Sequence, residues 1–341
     1  MSRPGPRNLI TDVDGITIGN AADEAARTGV TVVLPPDGAV AGVDVRGGGP
    51  GTREIDLLDP TCLVERIDGI CLSGGSVHGL AAGDAVVGWL HEQERGFALG
   101  AWRLPIVPGA IIFDLGIGGT ENRGRYPGYG DLARAACEAA GVDFALGNVG
   151  AGMGARAGRL KGGLGRASAV SGDGLQVAAL VVGNRVGSTV MPGCGTLWSW
   201  ALEQNGEMGR QIPPGPVAGL DEDLPVEARI GGNTTLAVIA TNATLDKAQA
   251  QRIAIMAHDG MARAIRPLHT PFDGDTVFAL STTRMALPEP AAMSIARIGA
   301  IAADCLARAI GRAVFSAESL GDAPGYRQSY SDAFADGAKT G

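Results

Sequence analysis

Short apolar runs of β character alternate with longer segments of helical period along this chain, and that alternation restricts its fold more than any other feature. Residues 30–34 (VTVVL), 39–45 (AVAGVDV) and 67–73 (IDGICLS) read as strands, the last of them buried. Gly74 and Gly75 turn the chain into a helix over 76–94; 105–115 reads as strand or loop, and 130–140 as a helix. A Ser-Gly-Asp-Gly turn at 171–174 joins 164–171 to 175–183 and predicts a hairpin. The pattern then runs strand 234–241, helix 245–265, strand 276–282, helix 290–313. This is an α/β chain with mixed strands. With 341 residues, 45% of them hydrophobic, it can bury one large core, and we read 1–341 as a single domain without internal repeats. The 54 glycines follow no Gly-X-Y period, so they point to tight turns and close backbone approaches.

One stretch breaks the alternation. Residues 191–232 hold Pro192, Pro213, Pro214, Pro216 and Pro225, many glycines and an acidic run (DEDLPVE), and read as a long exposed connector. The last 25 or so residues, from Ala317, are small and polar and read as partly loose. A net charge of −8 without a basic stripe argues against a nucleic-acid partner. Cys62, Cys71, Cys137, Cys194 and Cys305 are odd in number and contain no CxxC, which argues against a disulfide scaffold or a zinc site and for a reducing compartment. No signal-like or membrane-length apolar stretch occurs, so a soluble cytoplasmic protein with no membrane partner is expected.

The connector ends at Gly231-Gly232-Asn233-Thr234-Thr235, at the head of an apolar strand. The two glycines permit strained backbone. If the Asn233–Thr234 bond is cut, Thr234 gains a free α-amine with an ordinary pKa of about 7.7–8.0, able to take the proton from its own hydroxyl. That is the threonine form of a nucleophile–base pair; the plain alternative is an ordinary strand threonine. Downstream, Asp273-Gly274-Asp275 precedes another apolar strand: two carboxylates suited to orienting a hydroxyl or binding an ammonium or metal, or else a solvated turn. His258 and His269 lie nearby, but without a metal-ligand spacing they read as core or surface histidines. Asn184 closes the run ALVVGN, where its amide can donate to an oxyanion or simply end a strand. Lys161, before Gly162-Gly163, can hold a carbonyl oxygen or sit in solvent. The glycine-rich runs 71–80 (CLSGGSVHGL) and 150–154 (GAGMG) depart from nucleotide-binding and nucleophile-elbow patterns and read as packing turns.

Taken in order, ITDVDGITIGNA, TGVTVVL, CLSGGSVHGL, GAGMGARAG, ALVVGNRVG, GGNTTLAVIATNA and HTPFDGDTVFALST resemble the DmpA-type self-processing aminopeptidases, a family that includes the endo-type 6-aminohexanoate-oligomer (nylon-oligomer) hydrolases. The resemblance runs over nearly the whole chain. It implies a layered α/β fold of sheets sandwiched by helices, similar to N-terminal-nucleophile hydrolases but differently connected. It also implies self-cleavage between Asn233 and Thr234 into 1–233 and 234–341, with Thr234 the new N-terminal nucleophile. An Asn-Thr junction resembles the nylon-oligomer branch. By the same resemblance Asp273 and Asp275 assist the threonine, Asn184 helps form the oxyanion site, and Lys161 or Arg159 is the active-site cation, Lys161 being preferred. Phe113 stands where relatives carry a tyrosine, which removes a phenol donor. The implied substrate is a small amide or peptide, with no cofactor and no metal, and the implied assembly is a homotetramer. Two other readings stay open: an aminopeptidase on short D-, L- or β-amino-acid peptides, and an unprocessed binding protein.

Overall fold

The structure, a computed structural model, describes residues 2–117, 119, 128–216 and 233–335. Its principal elements are β1 (Thr17–Asp23), β2 (Thr28–Leu34), β3 (Ala39–Val45), β4 (Ile70–Ser73), α1 (Ala82–Glu92), β5 (Gly109–Ile111), α2 (Tyr129–Glu138), β6 (Gly163–Ser171), β7 (Gln176–Asn184), β8 (Thr234–Ala243), α3 (Lys247–Ala262), β9 (Thr276–Met285) and α4 (Ala291–Ser316). A seven-stranded sheet has the order Ser2–Arg3, β6, β7, β8, β9, β3, Arg66–Ile67. A five-stranded sheet has the order β1, β2, β4, β5, Thr52–Arg53.

Strand period two gives each sheet two apolar faces. Leu180, Val182, Leu236, Val238, Phe278 and Leu280 pack against Ile18, Val33, Ile70 and Leu72 of the smaller sheet. Val181, Ala237, Ile239, Val277 and Ala279 point the other way, onto Ile253 and Ala257 of α3 and Leu306 and Ile310 of α4. The far face of the smaller sheet, Val30, Val32 and Cys71, is covered by Val86 and Leu90 of α1 and Ala133 and Ala136 of α2. The result is four layers: helices, sheet, sheet, helices; the patterning implied the α/β class and the resemblance the sandwiching of sheets by helices.

β7 and β8 are antiparallel, whereas β8 and β9 are parallel and joined through α3. The α3 start is held by a capping box: Asp246 accepts from the Gln249 N–H at 2.7 Å, and the Gln249 side chain accepts from the Asp246 N–H at 3.1 Å. This crossover sets the heads of β8 and β9 side by side.

Several local expectations change. The helix expected over 76–94 is a 3-10 turn over Ser76–Ala81 followed by α1. Only Gly109–Ile111 of 105–115 is strand. Residues 191–212 of the expected exposed connector are packed, with Leu197 and Met208 fully buried. The Glu203 carboxylate accepts the backbone N–H groups of Met208, Arg210 and Gln211 at 2.7–2.9 Å, doing locally what a ladder would otherwise do. The rest of that stretch from 217, including the acidic run, Gly231 and Gly232, lies outside the described residues. The tail expected to be loose is docked through residue 335: Tyr326 and Phe334 are buried with Leu197, Met208 and Val314, and the Tyr326 hydroxyl donates to the Gly195 carbonyl at 3.0 Å. Two aromatic anchors outweigh the small polar composition around them.

Candidate active site

The sheet register assembles the site. Asn184, the last residue of β7, lies directly opposite Thr234, the first of β8. Val182 and Leu236, two residues inward on the same faces, lie in the core between the sheets, so Asn184 and Thr234 look toward that side. By the same alternation Arg185, Thr235 and Asp275 project toward the α3/α4 side, as Val181, Ala237 and Val277 do.

Thr234 is 3% exposed, and its hydroxyl donates to the carbonyl of Asn233 at 2.6 Å. The Gly274 N–H donates to the same carbonyl at 2.9 Å. A side chain at residue 274 would crowd the junction: a Cβ would fall 2.6 Å from Thr234 Oγ1 and 3.0 Å from the Gly49 carbonyl oxygen. Asn184 is locked in one orientation, its Oδ1 accepting from the Arg156 N–H at 2.9 Å and its Nδ2 donating to the Phe113 carbonyl at 3.1 Å. At the position lacking the tyrosine hydroxyl, then, the backbone of Phe113 is what touches the site.

Asp275 is fully buried. Its Oδ1 accepts the Thr235 N–H at 2.8 Å, and its Oδ2 meets His269 Nδ1 at 2.8 Å and the His269 N–H at 3.2 Å. Asp273 Oδ2 accepts from the Thr270 hydroxyl at 2.7 Å and its N–H at 2.8 Å. Burial, and then the neighbouring Asp275, push the Asp273 carboxyl above its ordinary pKa. Both aspartates are thus beside the Asn233–Thr234 junction and neither is a solvated turn residue. His258 stacks edge-on to His269 at 4.8 Å between ring centres, and its Nε2 lies 3.2 Å from the Asp44 carboxylate. The two histidines buttress Asp275 from behind. Among the described residues no group of three or more His, Cys, Asp or Glu is arranged to hold a metal.

The two candidate cations separate. Arg159 is exposed, whereas Lys161 is fully buried, its ammonium donating to the Gly152 and Gly162 carbonyls at 3.0 and 2.8 Å. Burial lowers Lys161 to about 7, against a partial pull upward by Asp114. Unfolded, the same lysine keeps its proton until near 10.5. Between these values the unfolded chain binds the extra proton, so the Lys161 contribution to stability rises with pH from about 7 to 10.5. Lys161→Met is therefore expected to lose that slope. Its Tm relative to the parent is highest below pH 7 and falls between pH 7 and 10, as a thermal melt series will show.

Two cavities meet at the junction. A smaller one of about 340 Å³ is lined by Phe113, Asp114, Arg156, Asn184 and Asn233. A larger one of about 980 Å³ is lined by Arg159, Arg185, Val186, Asn233 and Tyr330, among others. Asn233 lines both, which places the residue preceding Thr234 at the wall of each cavity. The run 71–80 plays the packing role expected of it: Gly75 is left-handed (φ 82°), its N–H donates to Asp114 Oδ1 at 2.7 Å, and a side chain there would enter the Tyr129 ring. Sequence reasoning missed Gly274 and Arg185. The glycine between two aspartates was visible, but that its N–H meets the Asn233 carbonyl was not. Arg185 carried no motif signal.

Residues 8–327 match peptidase family S58. The chain is 47% identical over 347 residues to an uncharacterized aminopeptidase of Mycobacterium tuberculosis, covering 96% of this chain and 99% of that one. It is 33% identical over 316 residues to a 6-aminohexanoate-oligomer endohydrolase of a Kocuria species, covering 89% and 84%. Its fold superposes with a TM-score of 0.68 on the L-aminopeptidase D-Ala-esterase/amidase of Ochrobactrum anthropi, described as a variant of the Ntn hydrolase fold, at 23% identity and covering 95% and 90%.

Proposed function

The chain belongs to peptidase family S58 and is a hydrolase of amide bonds, and from that premise we propose that it matures by cutting itself before Thr234, which then acts as an N-terminal nucleophile on short peptides or 6-aminohexanoate-type oligomers. The observation that carries this reading is the Asn233 carbonyl, held between the Thr234 hydroxyl at 2.6 Å and the Gly274 N–H at 2.9 Å. The hydroxyl and an amide donor both meet the carbonyl whose carbon the hydroxyl would attack and whose oxygen would become negative.

In the uncut chain, Thr234 Oγ1 adds to the Asn233 carbonyl carbon. Gly274 N–H takes up the oxyanion charge, the Thr234 nitrogen leaves with the proton, and an ester remains. Water hydrolyses the ester, leaving a carboxylate on Asn233 and a free amine and hydroxyl on Thr234. In the mature protein that amine accepts the hydroxyl proton during attack on a substrate amide, and water later releases the acyl group. Asp275, engaged with the Thr235 N–H, and Asp273 fix the loop that carries Gly274 and supply negative charge near the new ammonium. Asn184, opposite Thr234, donates to the oxyanion of the substrate. Asn184→Ala is expected to lower kcat by about 10²–10³-fold with KM little changed, measured by single-substrate kinetics.

The deciding experiment is mass and sequence. Intact mass gives two chains, and Edman sequencing of the smaller one begins Thr-Thr-Leu; a single full-length mass after long incubation would overturn the proposal in favour of an unprocessed binding protein. The relatives' names point to both exo- and endo-cleavage. Amino-capped against free oligomers separate them, since only an endo-acting enzyme hydrolyses both. By the resemblance we also propose a homotetramer, which light scattering measures directly.

A further inference from the structure

The guanidinium of Arg185 is 1% exposed, yet among the described residues none of its three nitrogens has a hydrogen-bond partner. Five N–H donors out of water without a hydrogen-bond partner, on a group carrying a full charge, are among the costliest features a fold can carry. The opposite charge that acts on it, Asp275, has both oxygens engaged, by the Thr235 N–H and by His269. Arg185 follows Asn184, whose partner in the register is Thr234, so Arg185 stands across from Asn233 at the reactive junction. It also lines the cavity of about 980 Å³ that Asn233 lines, where the only other charged side chains are those of Arg159 and Asp332 among the described residues. A planar, buried, unpaired fork of donors on a roomy cavity is the recognition element for a carboxylate.

We propose that Arg185 is a carboxylate receptor beside the scissile junction, pairing through its guanidinium with a carboxylate that enters the larger cavity. The assignment rests on the amide-hydrolase reading only for the source of that carboxylate. Two sources have the same chemistry: the free carboxyl end of a substrate oligomer, and the α-carboxylate released on Asn233 by self-cleavage. Burial lowers the Arg185 pKa to about 9, so it stays a cation at neutral pH and is relieved by an incoming anion.

The test uses the full-length protein, Arg185→Gln and Arg185→Lys, each also combined with Thr234→Ala. Melting curves come first. An arginine without an internal partner predicts that Arg185→Gln leaves the Tm of the uncut Thr234→Ala chain equal or higher, whereas a purely structural arginine predicts a fall, which would overturn the proposal. Calorimetry and kinetics then compare a tripeptide acid with its C-terminal amide. If the substrate is the source, the acid binds or shows a KM about ten- to hundredfold better than the amide, the ratio collapses in Arg185→Gln, and Arg185→Lys restores part of it. If Asn233 is the source, acid and amide are equivalent, but cleavage raises the Tm of the parent and not of Arg185→Gln. Neither discrimination nor a cleavage-dependent Tm shift would overturn the proposal. Hydrolysis of neither peptide counts against the function proposed above, not against Arg185, because binding to the Thr234→Ala chain is read independently.

Discussion

Thr234→Ala is expected to run as one full-length chain on a denaturing gel and to hydrolyse amides at least about 10⁴-fold more slowly than the parent, because one atom serves both reactions. Without Oγ1 nothing adds to the Asn233 carbonyl, so no amine is freed. Without the hydroxyl there is also no nucleophile for a substrate. The side chain is small, so its replacement leaves β8 in register with β7 and β9, and circular dichroism and Tm should match the parent closely. Thr234→Ser is the control that keeps the atom: it should still split and still turn over. A Thr234→Ala chain that splits at the same bond would remove Thr234 from the chemistry.

Gly274→Ala is expected to slow self-cleavage by about a hundredfold or more, read as the time course of the two fragments. An added Cβ at 2.6 Å from Thr234 Oγ1 is closer than non-bonded atoms approach, and on the other side the Gly49 carbonyl oxygen at 3.0 Å leaves little room to retreat. The backbone must move, and with it the N–H that touches the Asn233 carbonyl. The clash also displaces the hydroxyl itself. The backbone of residue 274 is not left-handed, so alanine is not excluded by conformation, and the effect is aimed at the junction rather than the fold. Cleavage at the parent rate with an unchanged Tm would show that Gly274 supplies nothing to the reaction.

The α/β class was legible because it rests on strand and helix periods, which are local. The runs around Leu180, Val238 and Phe278 are apolar on both faces, which is what a sheet covered on both sides requires. The Asn233–Thr234 junction was legible because a hydroxyl residue after paired glycines at a strand head is a pattern of chemistry as well as of sequence. Residues 191–212 and the tail to 335 were misjudged for one reason. Their burial comes from a few specific contacts, the Glu203 carboxylate on three nearby backbone N–H groups and Tyr326 and Phe334 in a small satellite core, and composition averages such contacts away.

By itself, then, the order of residues determined the α/β class, most of the long strands and helices, and that a threonine stands at the head of one strand. Only the tertiary structure decided what surrounds that threonine. Register across two strand pairs is a non-local quantity, and it alone sets Asn184 opposite Thr234, brings the Gly274 N–H to the Asn233 carbonyl, and leaves the Arg185 guanidinium without a hydrogen-bond partner at a cavity wall. A shift of one residue in either pairing would turn each of those side chains to the opposite face while leaving every local propensity satisfied.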